Sequence, residues 1–309
     1  MATTSATAAP RRRWRPSEQT RWAYIFLLPW IIGFVVFTAG PMLASLYLSF
    51  TRYNVIRAPQ LVGIRNYELL LDDRRIPLSL FNTAFYALLH VPGVIIFSLL
   101  LAMLLLRVGR ASGAFRTAFY LPNVTPAVAV GTLFLLLLAG NGLVNQALGA
   151  LGIDGPNWLT DPNWVKPGIV LMSWWTLGSS VVIYFAALRN VPVELYEAAQ
   201  IDGASAWAQF KSVTLPYISG AIFFTVIVNT IASLQIFAEV YTMFFGAKSG
   251  AGQEAALFYT IYLFQKAFQD LDMGYASAMA WVLFLIILVI TAFQVWGSRR
   301  FVYYAGDDK

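Results

Sequence analysis

The chain has 309 residues, of which 59% are hydrophobic and 12% are charged, against about 25% charged residues in a typical soluble domain. This composition indicates an integral membrane protein, and the absence of cysteine excludes a disulfide framework, a thiolate metal site and a cysteine nucleophile. The net charge of +6 does not indicate nucleic-acid binding, because the Lys and Arg residues lie in short segments between apolar runs rather than along one stripe.

The N-terminal segment is polar and Arg-rich, and the apolar run that follows it extends from Tyr24 past Phe37 to Leu48. This run is too long for the apolar core of a secretory signal peptide. We predict a disordered cytoplasmic tail over residues 1–21 and a transmembrane domain over residues 22–298. A cytoplasmic C-terminal tail is predicted to follow over residues 299–309.

Six apolar stretches reach the length of about 20 residues that a helix needs to cross a bilayer. They cover roughly residues 23–48, 82–106, 116–139, 167–188, 217–238 and 276–296. The first contains Pro29 and the Gly40–Pro41 pair, and we predict a kink there because proline removes a backbone hydrogen bond. The predicted fold class is all-α, a polytopic membrane protein with six transmembrane helices and a cytoplasmic two-helix loop.

The distribution of Lys and Arg indicates the orientation of this bundle, since six spans place both termini on one side. Thirteen of the 21 Lys and Arg residues lie in the two termini and in the loops 107–116 and 189–216. The other eight lie on longer segments of the opposite side. Because cytoplasmic loops carry an excess of Lys and Arg, we predict cytoplasmic termini and a cytoplasmic loop over residues 190–216.

This cytoplasmic loop mixes small, acidic and aromatic residues between two apolar runs. Pro192 suits the start of a helix, which we predict over residues 193–201. Gly203 is expected to form a left-handed turn after it, and Ser205 is expected to cap a second short helix. Pro216 is expected to end this unit and to start the next span. The loop is therefore predicted to be two helices joined by a sharp turn.

The second of these helices has an apolar face, because Trp207, Phe210 and Val213 recur every three residues. From Arg189 to Pro216 the net charge is −1, whereas helices that lie on anionic lipid usually carry a basic polar face. We therefore favour docking of the loop onto a protein partner, with adsorption to lipid as the alternative.

The loop resembles the EAA loop of binding-protein-dependent ABC importer permeases; it reads VPVELYEAAQIDGASAWAQFKSVTLP. Four further stretches are similar to the first permease subunit of the maltose- and glycerol-phosphate-type carbohydrate branch. They read FLLPWIIGFVVFTAGPMLASLYLSFTRYN, FRTAFYLPNVTPAVAVGTLF, LQIFAEVYTMFF and GYASAMAWVLFL. The resemblance covers roughly residues 22–296.

This resemblance implies a permease subunit that forms half of a sugar pathway in a bacterial-type cell membrane and pairs with a second, homologous permease. It further implies two ATPase subunits, which would use ATP and Mg, and an extracytoplasmic solute-binding protein that delivers the sugar. The resemblance assigns ATPase coupling to Glu197, Ala198, Ala199, Asp202, Gly203, Leu215 and Pro216.

Two stretches depart from the pattern of this family. Ala238 precedes Glu239, where the family often has Asp, and residues 245–253 read FGAKSGAGQ, where the family often has Gly-Gly-Pro. We therefore expect an external loop of different shape toward the solute-binding protein.

Polar and aromatic side chains inside two of the spans indicate where a substrate passes, because polar residues in a span tend to face the bundle interior. Rings stack on sugar faces, and amide or hydroxyl groups bond sugar hydroxyls; the resemblance points to the same stretches. The alternative is helix–helix packing, which stays open for all of them and is preferred for Trp175 and Gly178. The predicted pathway residues are Trp174, Trp175, Gly178, Asn229, Ala232, Ser233 and Ile236.

His90 and Glu239 are two of the ionisable residues that lie within or next to spans. His90, the single histidine of the chain, is expected to be a packing residue, because a proton relay needs a series of titratable groups. Glu239 ends the fifth span and is expected to anchor it at the membrane interface, with a position in the pore as the alternative.

The sequence contains no GxxxxGK[ST] motif, which excludes a P-loop nucleotide site in this chain. We expect no catalytic site, metal site or cofactor here. A stand-alone secondary carrier or channel for a small polar solute is an alternative function, although the spans carry almost no charge for ion coupling. A second alternative function is that of a structural membrane subunit in an enzyme complex.

Overall fold

The structure of the protein, a computed structural model, describes residues 18–246, 252–299 and 302. Most of the predicted tails over 1–21 and 299–309, and the middle of the segment 245–253, lie outside the described residues. The described part of the chain is predominantly helical.

Sixteen α-helices are assigned among the described residues. They are α1 (Glu18–Phe34), α2 (Gly40–Ser49), α3 (Arg65–Asp72), α4 (Arg75–Arg107), α5 (Ser112–Tyr120), α6 (Ala127–Leu137), α7 (Leu143–Ala150), α8 (Pro162–Trp174), α9 (Gly178–Arg189), α10 (Val193–Ile201), α11 (Ala206–Gln209), α12 (Leu215–Tyr217), α13 (Ser219–Leu234), α14 (Ala238–Phe244), α15 (Tyr259–Phe264) and α16 (Met273–Ser298).

Four continuous helices among the described residues are long and apolar enough to cross a membrane. They are Trp22–Ser49, Arg75–Arg107, Ser219–Phe244 and Met273–Ser298. Two further segments qualify only as bent pairs: Ser112–Val124 meets α6 at 98°, and α8 meets α9 at 51°. The described residues therefore contain four candidate spans, or six if each bent pair is one span.

The predicted third span, residues 116–139, is broken in the middle. A 3₁₀ turn at Leu121–Val124 ends α5, and α6 starts after Pro126. Thr125 is extended, with φ −77° and ψ 130°, because the residue before a proline is sterically excluded from the helical region. The break therefore has a local cause in the sequence.

The first span departs from regular α-helix at the predicted Gly40–Pro41 pair. A π-helical turn over Val35–Ala39 joins α1 to α2. Such turns often mark kinks and functional positions in membrane helices.

A small antiparallel hairpin adds two short strands to the predicted all-α fold. Strand β1 (Thr51–Arg52) pairs with strand β2 (Gln60–Leu61). The Asn66 amide stabilises this region by donating to the backbone oxygens of Ser49 and Thr51 at 2.8 and 2.9 Å. The hairpin was not predicted, because both strands are only two residues long.

Helix α4 is the centre of the bundle and packs against α8, α9, α13 and α15, while α6 packs on α14 and α16 packs on α2. Two apolar cores follow the length of α4. The first surrounds its N-terminal half and includes Tyr86, Ile169 and Met279. The second surrounds its C-terminal half and includes Leu105, Tyr184 and Ile218. The two ends of the bundle are therefore built on separate cores.

Candidate functional site

The loop predicted over residues 190–216 forms a compact, exposed helix–turn–helix, which we call the elbow (residues 192–217). Its first helix, α10, covers the predicted residues 193–201, and Glu194 lies in its first turn. An acidic side chain is favourable there because the N-terminal end of a helix carries partial positive charge. None of the residues of α10 is buried.

The turn of the elbow is a left-handed helix end at Gly203, which has φ +76°. The N–H of Gly203 donates to the carbonyl of Gln200 at 3.0 Å, and the N–H of Ala204 donates to Ala199 at 2.9 Å. This pair of bonds defines a Schellman motif, in which glycine is the preferred left-handed residue. The sharp turn predicted at Gly203 is confirmed.

The second arm of the elbow starts at Ser205, whose hydroxyl accepts a hydrogen bond from the N–H of Ala208 at 3.3 Å. The predicted N-cap is confirmed. A π-helical segment over Phe210–Thr214 then leads into α12.

The arm ends one residue beyond the predicted Pro216. The proline lies inside the three-residue helix α12, and the chain leaves helical geometry only at Ile218. A proline in the first turn of a helical segment sacrifices little, because its missing N–H has no required partner there.

The elbow is attached to the second apolar core by its inner face. The hydroxyl of Tyr196 lies 2.9 Å from Oγ1 of Thr214, which joins the two arms. Phe210 and Val213 pack against the core around α9, whereas Trp207 is 72% exposed and stacks on Phe210 with ring centroids 5.4 Å apart. The predicted apolar face therefore has two roles: Phe210 and Val213 attach the elbow to the core, whereas Trp207 remains exposed on its surface.

The residues assigned to coupling occupy two places on the elbow. Glu197, Ala198, Asp202 and Gly203 are exposed on the first helix and the turn, and Ala199 is half-buried. Leu215 and Pro216 lie apart from this group, where they line an apolar groove of about 520 Å³ between α13 and α16.

A cavity of about 480 Å³ opens where three helix breaks meet. It touches Ala127 at the start of α6, Thr176 between α8 and α9, and the segment 235–237 between α13 and α14. Interrupted helices are a common way for transporters to form a binding site within a membrane. The other lining residues come from α4, α8 and the helices next to the breaks.

The predicted pathway residues of the fifth span all line this cavity, namely Asn229, Ala232, Ser233 and Ile236. The amide nitrogen of Asn229 donates to the carbonyl of Thr225 at 2.8 Å, and the hydroxyl of Ser233 donates to the carbonyl of Asn229 at 2.5 Å. The amide and hydroxyl groups are thus held in place by the helix that presents them.

The predicted residues of the fourth span do not line the cavity. Trp174 packs on Gly93, where an added Cβ would lie 2.4 Å from the indole, and its ring centroid lies 4.8 Å from that of Phe97. Gly178 packs so closely on the carbonyl of Phe119 that a Cβ would lie 2.1 Å away. Trp175 contacts Phe134 edge-on, with centroids 5.8 Å apart. Packing, the preferred alternative for Trp175 and Gly178, describes all three.

Other cavity residues were not among the predicted pathway positions. Gln235 and Phe237 line the cavity because the chain leaves helical geometry between α13 and α14, and no proline or glycine in LQIFAEV marks that break. Glu239, predicted as an interface anchor with a position in the pore as the alternative, also lines the cavity. His90 also lines the cavity; it is buried, and its Nδ1 lies 2.7 Å from the hydroxyl oxygen of Ser173.

A second, larger cavity of about 760 Å³ opens beside the N-terminal end of α4, at the opposite end of the bundle from the elbow. At its wall, Nζ of Lys166 donates to Oδ1 of the buried Asn82 at 3.1 Å and lies 5.6 Å from the ring centroid of Phe81. Arg75, Glu254 and Asp270 also line it, so cations and carboxylates are both present.

Asp73, close to this end of α4, ties three helices together. Its Oδ2 accepts hydrogen bonds from the hydroxyls of Tyr262 at 2.5 Å and Tyr275 at 2.7 Å. Burial raises the pKa of Asp73, but these two bonds, the bond from the N–H of Arg75 and the charge of Lys266 outweigh burial. The pKa of Asp73 is therefore lowered below its ordinary value.

The chain is similar to known membrane transport proteins. The profile of the family described as "Binding-protein-dependent transport system inner membrane component" matches residues 74–303. The chain is 37% identical over 289 residues to the probable ABC transporter permease protein YesP of Bacillus subtilis (strain 168), covering 93% of each chain. It is 34% identical over 306 residues to the lactose transport system permease protein LacF of Rhizobium radiobacter, covering 97% of this chain and 99% of LacF.

Among solved structures, a chain of the bacterial alginate ABC transporter in complex with alginate pentasaccharide-bound periplasmic protein is similar with a TM-score of 0.82 and 26% identity. The match covers 94% of this chain and 98% of that one. Because the family profile spans most of the sequence and two relatives exceed 30% identity over nearly all of it, this chain belongs to the family of inner-membrane components of binding-protein-dependent transport systems.

Proposed function

We propose that this permease forms half of the pathway by which a binding-protein-dependent ABC importer takes up a sugar or sugar derivative. The observation that carries the proposal is the cavity at the three helix breaks, whose wall presents the amide of Asn229 and the hydroxyl of Ser233. Relatives named for lactose transport and for arabinooligosaccharide transport support a carbohydrate as the substrate.

The elbow would couple this pathway to ATP hydrolysis. It presents Glu197 together with exposed apolar side chains, among them Ile201 at 87% and Trp207 at 72% exposure. An exposed apolar group with a carboxylate beside it suits a cleft of a protein partner better than water. We assign docking of the ATPase subunits, which would bind ATP and Mg, to this surface on the cytoplasmic side.

A direct physical route leads from the elbow to the cavity. Phe210 and Val213 pack against the core around α9, and α9 starts at Gly178, two residues after the cavity residue Thr176. A packed helix transmits displacement because a dense core deforms little. Closure of the ATPase pair would thus move α9 and change access to the cavity, as alternating access requires.

Two further partners fit the remaining surfaces. In the most apolar window of the helix Trp22–Ser49 no residue is buried, and this exposed helix is assigned to lipid and to a second, homologous permease. The larger cavity beside α4, with charges of both signs, is assigned to the face that receives the solute-binding protein.

Reconstitution tests the assignment. The chain should co-purify with an ATPase and a second permease, and sugar-loaded binding protein should stimulate ATP hydrolysis in vesicles. A secondary carrier would instead purify alone and transport without ATP. A structural subunit of an enzyme complex would show no response to the loaded binding protein.

The role of the elbow is tested by Glu197→Lys, which reverses an exposed charge without touching the core. We expect sugar uptake and ATPase stimulation to be lost while membrane insertion is unchanged. Glu68→Lys, at an exposed position of α3, is the matched control and should retain uptake. Normal uptake in Glu197→Lys would remove the elbow from the coupling pathway.

A further inference from the structure

We propose that the cavity at the three helix breaks selects against acidic sugars, and that the carboxylate of Glu239 sets this preference. The inference rests on the proposed function, since it takes this cavity to lie on the route of the sugar. Carbohydrates include neutral and acidic molecules, and the proposed function does not decide between them.

The charges on the cavity wall are unbalanced. Among its described lining residues, Glu239 is the one acidic side chain, and neither Lys nor Arg is present. The other titratable groups are the Tyr86 hydroxyl and His90. His90 is a buried imidazole whose Nδ1 lies 2.7 Å from the Ser173 hydroxyl, and without a carboxylate partner a buried ring is favoured in its neutral form. A solute in this cavity therefore meets a net negative wall.

Glu239 is held at the cavity by a rigid backbone. It is the second residue of α14, directly after the break at 235–237. Its backbone packs on α6 so tightly that a Cβ added to Gly131 would lie 2.7 Å from the carbonyl oxygen of Glu239. The position of the carboxylate is therefore set by helix packing rather than by a mobile loop.

No hydrogen bond or ion pair engages the Glu239 side chain within the part of the chain that the structure describes. The salt bridge found there joins Lys266 and Asp270 at 2.9 Å, and neither residue lines this cavity. The Glu239 carboxylate does interact electrostatically with the neighbouring Tyr86 hydroxyl. An unpaired carboxylate on a cavity wall remains available to a solute: it accepts hydrogen bonds from sugar hydroxyls and repels a second carboxylate.

The starts of α6 at Ala127 and of α14 at Ala238 both reach the wall, and a helix N-terminus carries partial positive charge; the end of α13 beside Gln235 carries an opposite partial charge, so the equivalent of one helix start remains as the opposing influence. That charge is about half of one elementary charge, against a full one on Glu239. Repulsion between two like charges is also about four times stronger near a protein, at an effective dielectric constant near 20, than in bulk water. The carboxylate therefore decides the sign of the preference.

The cations of the larger cavity do not change this result. Arg75 and Lys166 line that cavity together with Glu254 and Asp270, and none of these four residues lines the cavity of Glu239. Lys166 is also engaged by Asn82. An acidic sugar would find no compensating charge among the described residues that line the smaller cavity.

Charged thiol reagents measure the preference without a known substrate. The chain has no cysteine, so Ala232→Cys introduces one thiol at an exposed position of the cavity wall. The assembled transporter in detergent would be treated with trimethylammonium-ethyl or sulfonato-ethyl methanethiosulfonate. Labelling of this chain would be followed by mass spectrometry, with rates divided by those of a free thiol.

We expect the cationic reagent to react at least about fivefold faster than the anionic one. The ratio should fall toward one in Ala232→Cys with Glu239→Gln, and it should be retained with Glu239→Asp. Equal rates with Glu239 in place, or faster reaction of the anion, overturn the proposal. A preference that persists in Glu239→Gln overturns the role of Glu239.

Because labelling needs neither ATP nor sugar, its result is independent of whether the chain is an importer. Failure of the ATPase and uptake experiments would overturn the proposed function while leaving the measured charge preference in place. If import is established, the Glu239→Gln transporter should gain uptake of a uronic acid relative to the matching neutral sugar, and an unchanged uptake ratio counts against the inference.

Discussion

The hydroxyl of Tyr196 and Oγ1 of Thr214, 18 residues apart in the chain, form a 2.9 Å hydrogen bond that closes the elbow. Thr214 is 5% exposed, so the bond is shielded from water at the base of the two arms. The elbow therefore has an internal cross-link in addition to its turn. Force applied to α10 reaches the second arm through this bond.

We predict that Tyr196→Phe loosens the two arms without removing apolar contact. Loss of one hydrogen bond, with the Thr214 hydroxyl left beside a ring, costs about 1 kcal/mol. The melting temperature of the assembled transporter should fall by a few degrees, and ATP-driven uptake should fall more than ATP hydrolysis. Tyr47→Phe, at a 55% exposed tyrosine of α2, is the control and should change neither quantity.

Gly203→Val should uncouple the transporter through backbone strain. No atom lies within 4 Å of a Cβ at Gly203, so the substitution fits in space, but φ +76° costs an L residue roughly 1–2 kcal/mol. We expect uptake to be abolished with normal membrane insertion, and Gly203→Asn to retain part of it, because Asn tolerates this region.

A matched control for this substitution is Gly149→Val, at a glycine of α7 that also has open space but no left-handed φ. Uptake should be preserved in this variant. Equal loss in both variants would point to a general effect of valine rather than to the turn.

Gly178→Ala should destabilise the bundle by overpacking. The new Cβ would lie 2.1 Å from the carbonyl oxygen of Phe119, well inside van der Waals contact, and such crowding costs about 1–3 kcal/mol. Thermal unfolding of the purified assembly should shift to lower temperature. Gly113→Ala, whose Cβ would meet its first neighbour at 3.9 Å, should not shift it.

Asp73→Asn should make stability less dependent on pH in the acidic range. The pKa of Asp73 is lowered in the folded chain, so its charged form stabilises the fold above the ordinary value of 3.8. This contribution is lost as the pH falls through the lower, folded pKa. Thermal melts at neutral pH should show the variant less stable, and the difference should shrink below pH 3.8.

Asp72→Asn is the matched control, because Asp72 is the exposed neighbour of Asp73. Its melting curve should follow that of the unmodified protein at each pH. A constant difference between Asp73→Asn and the unmodified protein across the acidic range would show that the charge of Asp73 is not what stabilises this end of α4.

Elements whose signals are close together in the chain were predictable. The bounds of α10, the turn at Gly203 and the cap at Ser205 were all read from the sequence, because a cap or a positive φ depends on a few neighbouring residues. The apolar stretches were recognised because length and hydropathy suffice to identify segments long enough to cross a membrane. Family membership followed from the same local motifs.

Tertiary structure decided which residues meet. Trp174 and Asn229 were both predicted to line the pathway, yet Trp174 packs on Gly93 while Asn229 reaches the cavity. In a uniformly apolar helix no polar stripe records which side faces a neighbour, so that orientation depends on contacts with distant helices. The helix break at 235–237 likewise contains no proline or glycine from which it could have been predicted. The sequence alone therefore determined the elbow and the apolar stretches, whereas long-range packing determined the cavity and placed Glu239 on its wall.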